Sequence, residues 1–458
     1  MNRSHENLKG GESPGSRKVE FWPGLAARVD LQRLAVSAIP VKGVRYHSPL
    51  RFLEIFANTK AAPERELGWK EVEEGFLPKI PGVSVRLGEE IPQPPFAWRE
   101  ADAQYLATSF TYNTNAFFRI FTSLHALGHL DASAIEPLMD NACLLLTRLY
   151  RARNCHLIRN INNNLNMYLI SKVVEHLVGR RCYDAQCQEL RPTTASFSAA
   201  LTLASEHKHL SVHEKMAVAL GKGVAFIESR MRDGVLAKAA LTEVQNASFQ
   251  FHRKRLAIDH RANLLHMVAT AGAAGGSFTL AVILDDATET VDDLLWLQDL
   301  MEEFPYFKAH LLVNTAQISV NFSAQMLRLA WQAPILRSLA SRLGSQLLIT
   351  RTFCPLISFQ SNYLPPAARR VLEDADMVYI KGANFFETCQ IPEKPTVHAF
   401  VVYGPISRYY TGLQDLDGVF AFLPAGTAGY RHPRTGEPIQ TLLETTRKNA
   451  PLSDLSGN

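Results

Sequence analysis

The stretch LDDATETVDDLLWL (284–297) sets five acidic residues, Asp285, Asp286, Glu289, Asp292 and Asp293, directly behind the apolar run FTLAVI. Two carboxylates closing a buried strand cannot both stay ionised without a cation or a proton between them. Paired oxygens at such a position suit a hard divalent cation, which takes carboxylate and amide oxygens. Asp285, Glu289 and Asp293 are spaced by four, so a helix beginning here carries them along one face. Acidic residues also favour a helix start through capping and the helix dipole, which leaves a solvated acidic face as the alternative for Glu289, Asp292 and Asp293.

Three further segments hold polar groups at comparable places. NTAQISVNFS (314–323) overlaps the end of the run AHLLVNTA; there Ser323 or Asn321 caps the following helix, or Asn321 is a neutral amide ligand to the same cation. KGANFFETCQ (381–390) follows DMVYIKG; Lys381 is placed either to meet a phosphate or to pair with one of the acids, Gly382 to admit close backbone approach, and Asn384 to hydrogen-bond a substrate. YGPISRYYTG (403–412) follows TVHAFVVYG and offers Arg408, either a second anion contact or a surface arginine beside a turn.

The elements that must position these residues follow from periodicity. Residues 1–100 are rich in Pro and Gly toward their end and read as an irregular segment. From 101 to 270 apolar residues recur every three or four positions, as in IEPLMDNACLLLTRLYRAR and QFHRKRLAIDHRANLLHMVATA, and predict a helical domain. After AGAAGGS the period changes. FTLAVILD, AHLLVNTA, SQLLITRT, DMVYIKG, TVHAFVVYG and GVFAFLP are short apolar runs alternating with helix-like stretches. They predict an α/β domain over 271–445, a mostly parallel, Rossmann-like sheet flanked by helices, with a polar tail at 446–458. Ligands of such sheets sit beyond the carboxyl ends of the strands, where every residue named above falls.

Composition narrows the classes. A net charge of +4 over 458 residues, without a basic block interleaved with aromatics, gives no nucleic-acid footprint. No apolar run reaches the length of a membrane span, and the polar first twenty residues lack a signal-peptide core, so a cytoplasmic protein is expected. The six scattered cysteines read as reduced thiols. No GxGxxG loop supports a nucleotide or methyl-donor site.

Over about 278–425 the strand ends resemble the damage-control phosphatase family. Its usual Asp-Asn-Ala-Gly-Glu, with Asp four residues later, is matched by Asp285-Asp286-Ala287-Thr288-Glu289 and Asp293. Its Ser-Asp or Asn-Asp is matched by Val320-Asn321, and its Lys-Gly-x-x-Asn-Phe/Tyr-Glu, with a one-residue difference within Ala383 to Phe386, by Lys381-Gly382-Ala383-Asn384-Phe385-Phe386-Glu387. The resemblance implies Mn²⁺ or Mg²⁺ held by Asp285, Asp286 and Asn321. It implies phosphate held by Lys381, Gly382, Asn384 and Arg408, with Asp285, Glu289 and Lys381 as catalytic groups. The expected activity is metal-dependent hydrolysis of a small phosphorylated, anionic metabolite. The chain departs from the pattern: Asp286 stands for Asn, Thr288 for Gly, Asn321 for Asp, and Gly404 where a late lysine is usual. These changes keep two other readings open, a metal-dependent biosynthetic enzyme of different chemistry and a non-catalytic ligand-binding protein.

Overall fold

A computed structural model describes Ile55, residues 113–151 without 115 and 119, 163–183, 185–233, 256–317, 321–354, 364–389, 391, 393–402, 407, 411, 413–414 and 416–426. Apart from Ile55 the expected irregular segment lies outside these residues, as do the polar tail, Gly404 and Arg408.

The chain forms two compact units, and in the first the described residues are Ile55 and 113–149. Its helix α1, Ala132–Arg151, buries Ile135, Met139, Ala142, Leu146 and Leu149, the three-and-four spacing of an amphipathic helix. Phe117 and Phe121 stack with ring centroids 6.3 Å apart in the same unit.

The second unit carries helices α2 (Asn163–Val178), α3 (Ala185–Leu203) and α4 (Val212–Asp233), then strand β1 (Leu256–Asp259) and α5 (Arg261–Ala273). There follow β2 (Phe278–Ile283), α6 (Ala287–Glu303), β3 (Phe307–Asn314), α7 (Ala324–Gln332), α8 (Arg337–Ser341) and β4 (Leu347–Thr352). The last elements are α9 (Pro366–Asp374), β5 (Met377–Lys381), α10 (Ala383–Thr388), β6 (Thr396–Val401) and β7 (Gly418–Leu423). The seven strands among the described residues form one sheet, in the order β1-β7-β6-β5-β2-β3-β4. Every pairing is parallel except β6 with β7.

Leu280, Val282, Leu311, Val313, Met377, Tyr379, Val397 and Ala399 line one face and pack into a single core with α3, α4 and α6. Ala281, Ile283, Val378, Ile380 and Phe400 on the other face are buried as well. Burial on both faces is why these strands read as continuous apolar runs rather than alternating ones. The α/β architecture is therefore the expected one. No helix among the described residues is long and apolar enough to cross a membrane.

Two features depart from the sequence reading. LAID, inside a stretch whose pattern predicts helix, is strand β1. It is four residues long, too short to impose a period-two signal, and it is held by β7, which lies far along the chain. The antiparallel return of β7 against β6 is also absent from the pattern, because apolar content does not encode strand direction when both faces are buried.

Candidate functional site

The chain leaves β2 toward β3 and β4 on one side, then crosses back to β5, which pairs with β2 from the other side and leads away to β6. The carboxyl ends of β2 and β5 therefore flank a topological switch point, where open α/β sheets form their ligand crevice. Asp285 and Asp286 follow the first of these strands; Lys381 ends the second and Gly382 follows it.

Asp286 occupies the N-cap position of α6 in extended backbone, yet its side chain makes no capping hydrogen bond to the helix. Its carbonyl accepts from the Thr290 amide at 3.1 Å and the Thr290 hydroxyl at 3.0 Å, closing the first turn. The loop after β3 folds back onto this corner. Asp286 and Asn321 form an isolated antiparallel bridge, and the Phe322 amide donates to the Asp285 carbonyl at 2.7 Å. Gln317 fixes that loop: its amide nitrogen donates to the Asn321 carbonyl at 2.9 Å, and its oxygen accepts from the Ser323 hydroxyl at 2.7 Å. Ser323, not Asn321, stands at the N-cap of α7, and its hydroxyl goes to Gln317 instead of to the helix.

Lys381 is fully buried, its Nζ 3.2 Å from Glu289 Oε2 and 3.3 Å from Asp293 Oδ2. Residues four apart on α6 thus converge on one ammonium. Burial pushes the lysine toward neutrality, but Asp293 and Glu289 outweigh it and keep it charged. Asp293 also accepts the Tyr379 hydroxyl at 2.8 Å and the Trp296 indole N–H at 2.9 Å, so it is held from the strand, the helix and the lysine at once. Burial and the neighbouring Asp293 push the Tyr379 phenol well above its usual range, which keeps it a donor.

Gly382 has φ +97° and ψ 146°, a conformation essentially confined to glycine. A Cβ built there would lie 1.8 Å from Asp285 Oδ2, so the missing side chain is the space the Asp285 carboxylate occupies. Asn384 sits half-buried in α10 at the same edge. Arg408 lies outside the described residues.

Burial and the adjacent Asp286 and Glu289 carboxylates push the Asp285 carboxyl well above its normal range. Glu289 is pushed up to about 8, by burial first, against the partial opposition of Lys381. The folded protein therefore holds the Glu289 proton more tightly than the unfolded chain between the ordinary 4.5 and about 8. That contribution to stability is complete below the lower value and lost as pH rises through the upper one. Metal-free protein is expected to unfold at progressively lower urea as pH goes from about 5.5 to about 8.5, and Glu289→Gln to flatten that slope. An equal slope in the variant would refute the assignment.

The next residue, Asp292, turns the other way. Its Oδ1 accepts from His207 Nδ1 at 2.7 Å, and its Oδ2 pairs with Lys222 of α4. Burial pushes this carboxyl up, but Lys222 and His207 outweigh it and hold it below the carboxylate range. Neither partner was legible at Asp292 itself, since both lie far off in sequence. The one available sign was a shared spacing: Lys215 and Lys222 are seven apart, as are Asp292 and Asp299.

Among the described residues, no group of three or more His, Cys, Asp or Glu side chains is arranged to hold a metal ion. The set at the switch point is of another kind, two carboxylates and the amide of Asn321. All its donors are oxygen-bearing, and the mutual repulsion that raises Asp285 is what a hard cation would relieve, so the residues fit such an ion.

Fold and site define a mostly parallel α/β protein with a cluster of acidic residues at its switch point. No family model matches the chain, and no curated protein matches it. Among solved structures the chain is similar to the crystal structure of a DUF89 family protein from Pyrococcus horikoshii, at 12% identity and a TM-score of 0.47, over 62% of this chain and 90% of that one. At that identity and score the likeness assigns neither family nor activity.

Proposed function

We propose that the protein is a divalent-metal-dependent, phosphatase-like hydrolase acting on a small phosphorylated metabolite. The observation that carries this reading is the corner where Asp285 and Asp286 meet Asn321 while the nearby ammonium of Lys381 is already engaged by Glu289 and Asp293. Burial and the Asp286 and Glu289 carboxylates push the Asp285 carboxyl well above its normal range, and relief of that crowding is what a Mn²⁺ or Mg²⁺ ion supplies.

Asp285, Asp286 and Asn321 would hold the ion. When bound, it supplies Lewis-acid polarisation of the phosphoryl oxygens and lowers the pKa of a coordinated water. The chain's own residues do the rest. Glu289, which keeps its proton to about pH 8, can hold a proton for a leaving oxygen. Lys381 acts through Glu289, fixing its place, and Asn384 is the amide at the strand edge that would meet the substrate. Gly382 serves the site by making room for Asp285. One observation favours the second reading, a metal-dependent enzyme of other chemistry: the lysine expected at the phosphate is committed to carboxylates.

Calorimetric titration of metal-free protein with Mn²⁺ and with Mg²⁺ tests the proposal. One ion per chain is expected, with affinity down at least tenfold in Asp285→Ala and in Asn321→Ala. Hydrolysis in a phosphate-ester screen, lost in Asp285→Ala, would separate the two readings. Absence of metal binding by the unaltered protein would overturn both.

A further inference from the structure

Two ion pairs join α4 to α6. Lys215 of α4 meets Asp299 of α6 at 2.5 Å, and Lys222 of α4 meets Asp292 of α6. The partners run in opposite order along the two helices, so the helices are antiparallel. On each, the two charged residues are seven apart, two helical turns or roughly 10.5 Å. The far pair is partly open to solvent through Asp299, whose side chain is 25% exposed. The near pair is buried, and His207 closes the remaining side of Asp292.

A buried ion pair is a poor source of net stability, because desolvation offsets the attraction. What it does enforce is register, since any slip strands a charge in an apolar layer. A slip of one turn, about 5.4 Å, would move Asp292 away from Lys222 and into the core formed by Met216, Leu220 and their neighbours. Rotation of α6 is blocked as well. Asp292 and Asp293 are adjacent, about 100° apart around the helix, and each is held by a lysine from a different layer, Lys222 of α4 and Lys381 of β5. One turn before them stand Glu289 and the first turn of α6, whose opening residue is Asp286.

We infer that the Lys215–Asp299 and Lys222–Asp292 pairs form a register lock, and that Lys222, Asp292 and His207 are positioning residues for the strand-end site. The lock sets the height and azimuth of α6, and with them the place of Asp286 against Asn321 and of Glu289 against Lys381. This inference rests on the proposed cation-binding reading for its functional consequence, though its mechanical part stands without it.

The test uses the full chain carrying Lys222→Met together with Asp292→Leu, which removes both charges and keeps side-chain bulk. Three readouts are taken: thermal midpoint, Mn²⁺ affinity by calorimetry, and hydrogen exchange of the peptide spanning 285–291. The expected result is a midpoint near that of the unaltered protein, Mn²⁺ affinity lowered on the order of tenfold, and faster exchange in the first turn of α6. Unchanged affinity and unchanged exchange would overturn the inference. If the unaltered protein binds no Mn²⁺, the metal reading fails by itself and the exchange readout still decides the lock. If the double variant does not fold, Lys215→Met at the partly open far pair gives the same decision. Faster first-turn exchange there supports the lock, and exchange equal to the unaltered protein overturns it.

Discussion

Lys381→Met is expected to lower folding stability by about 3–5 kcal/mol, the usual loss when one partner of a buried ion pair is removed and the other charge stays behind. The lysine is fully buried between Glu289 and Asp293. Urea unfolding at neutral pH measures the loss. The double variant Lys381→Met with Asp293→Asn is expected to recover part of it, which gives a coupling term of the kind contacting residues show. A loss below about 1 kcal/mol, the scale of an exposed pair, would show that this ammonium is solvated.

Gly382→Ala is expected to damage the site more than the fold. The residue adopts φ +97°, where a Cβ costs roughly 1–3 kcal/mol of backbone strain. The larger effect is local: the added carbon would sit 1.8 Å from Asp285 Oδ2, so the carboxylate must leave its place. Mn²⁺ affinity is expected to fall at least tenfold, about what displacing a ligand's support does, alongside a modest drop in the thermal midpoint. Retained affinity with the midpoint lowered would show that Asp285 contributes nothing to cation binding. Glycine here was read from the sequence as admitting close backbone approach; in the structure the Asp285 carboxylate lies against it.

Much of the fold was legible because its strands are buried on both faces. FTLAVILD, AHLLVNTA, SQLLITRT, DMVYIKG, TVHAFVVYG and GVFAFLP all contain strands, with ends shifted by a few residues. LAID escaped because four residues carry too little pattern. The rule that ligands gather beyond strand ends brought Asp285, Asp286, Asn321, Lys381 and Gly382 into view from sequence, and the fold sets them around one corner. The direction of each side chain was not legible. Asp292 and Asp293 are neighbours of the same type, yet one faces the helices and the other the sheet, a choice made by lysines at positions 222 and 381. Likewise nothing near Lys381 in sequence reveals that its ammonium is spoken for, since both partners lie on an element about ninety positions earlier.

The placement of β1 has a consequence for how the molecule assembles. Among the described residues its only strand neighbour is β7, and His260, just past its end, accepts from the Phe422 amide across 162 residues. The pairs β2 with β3, β3 with β4 and β5 with β6 join strands that emerge in turn, but β1 must wait for a segment synthesised much later. Closing so long a loop is slow, and the waiting segment exposes a strand edge meanwhile. Nascent chains therefore pass through a stage in which β2 to β6 are present while β1 lacks its partner. In that interval binding by a chaperone, or capture by another chain, competes with completion of the sheet.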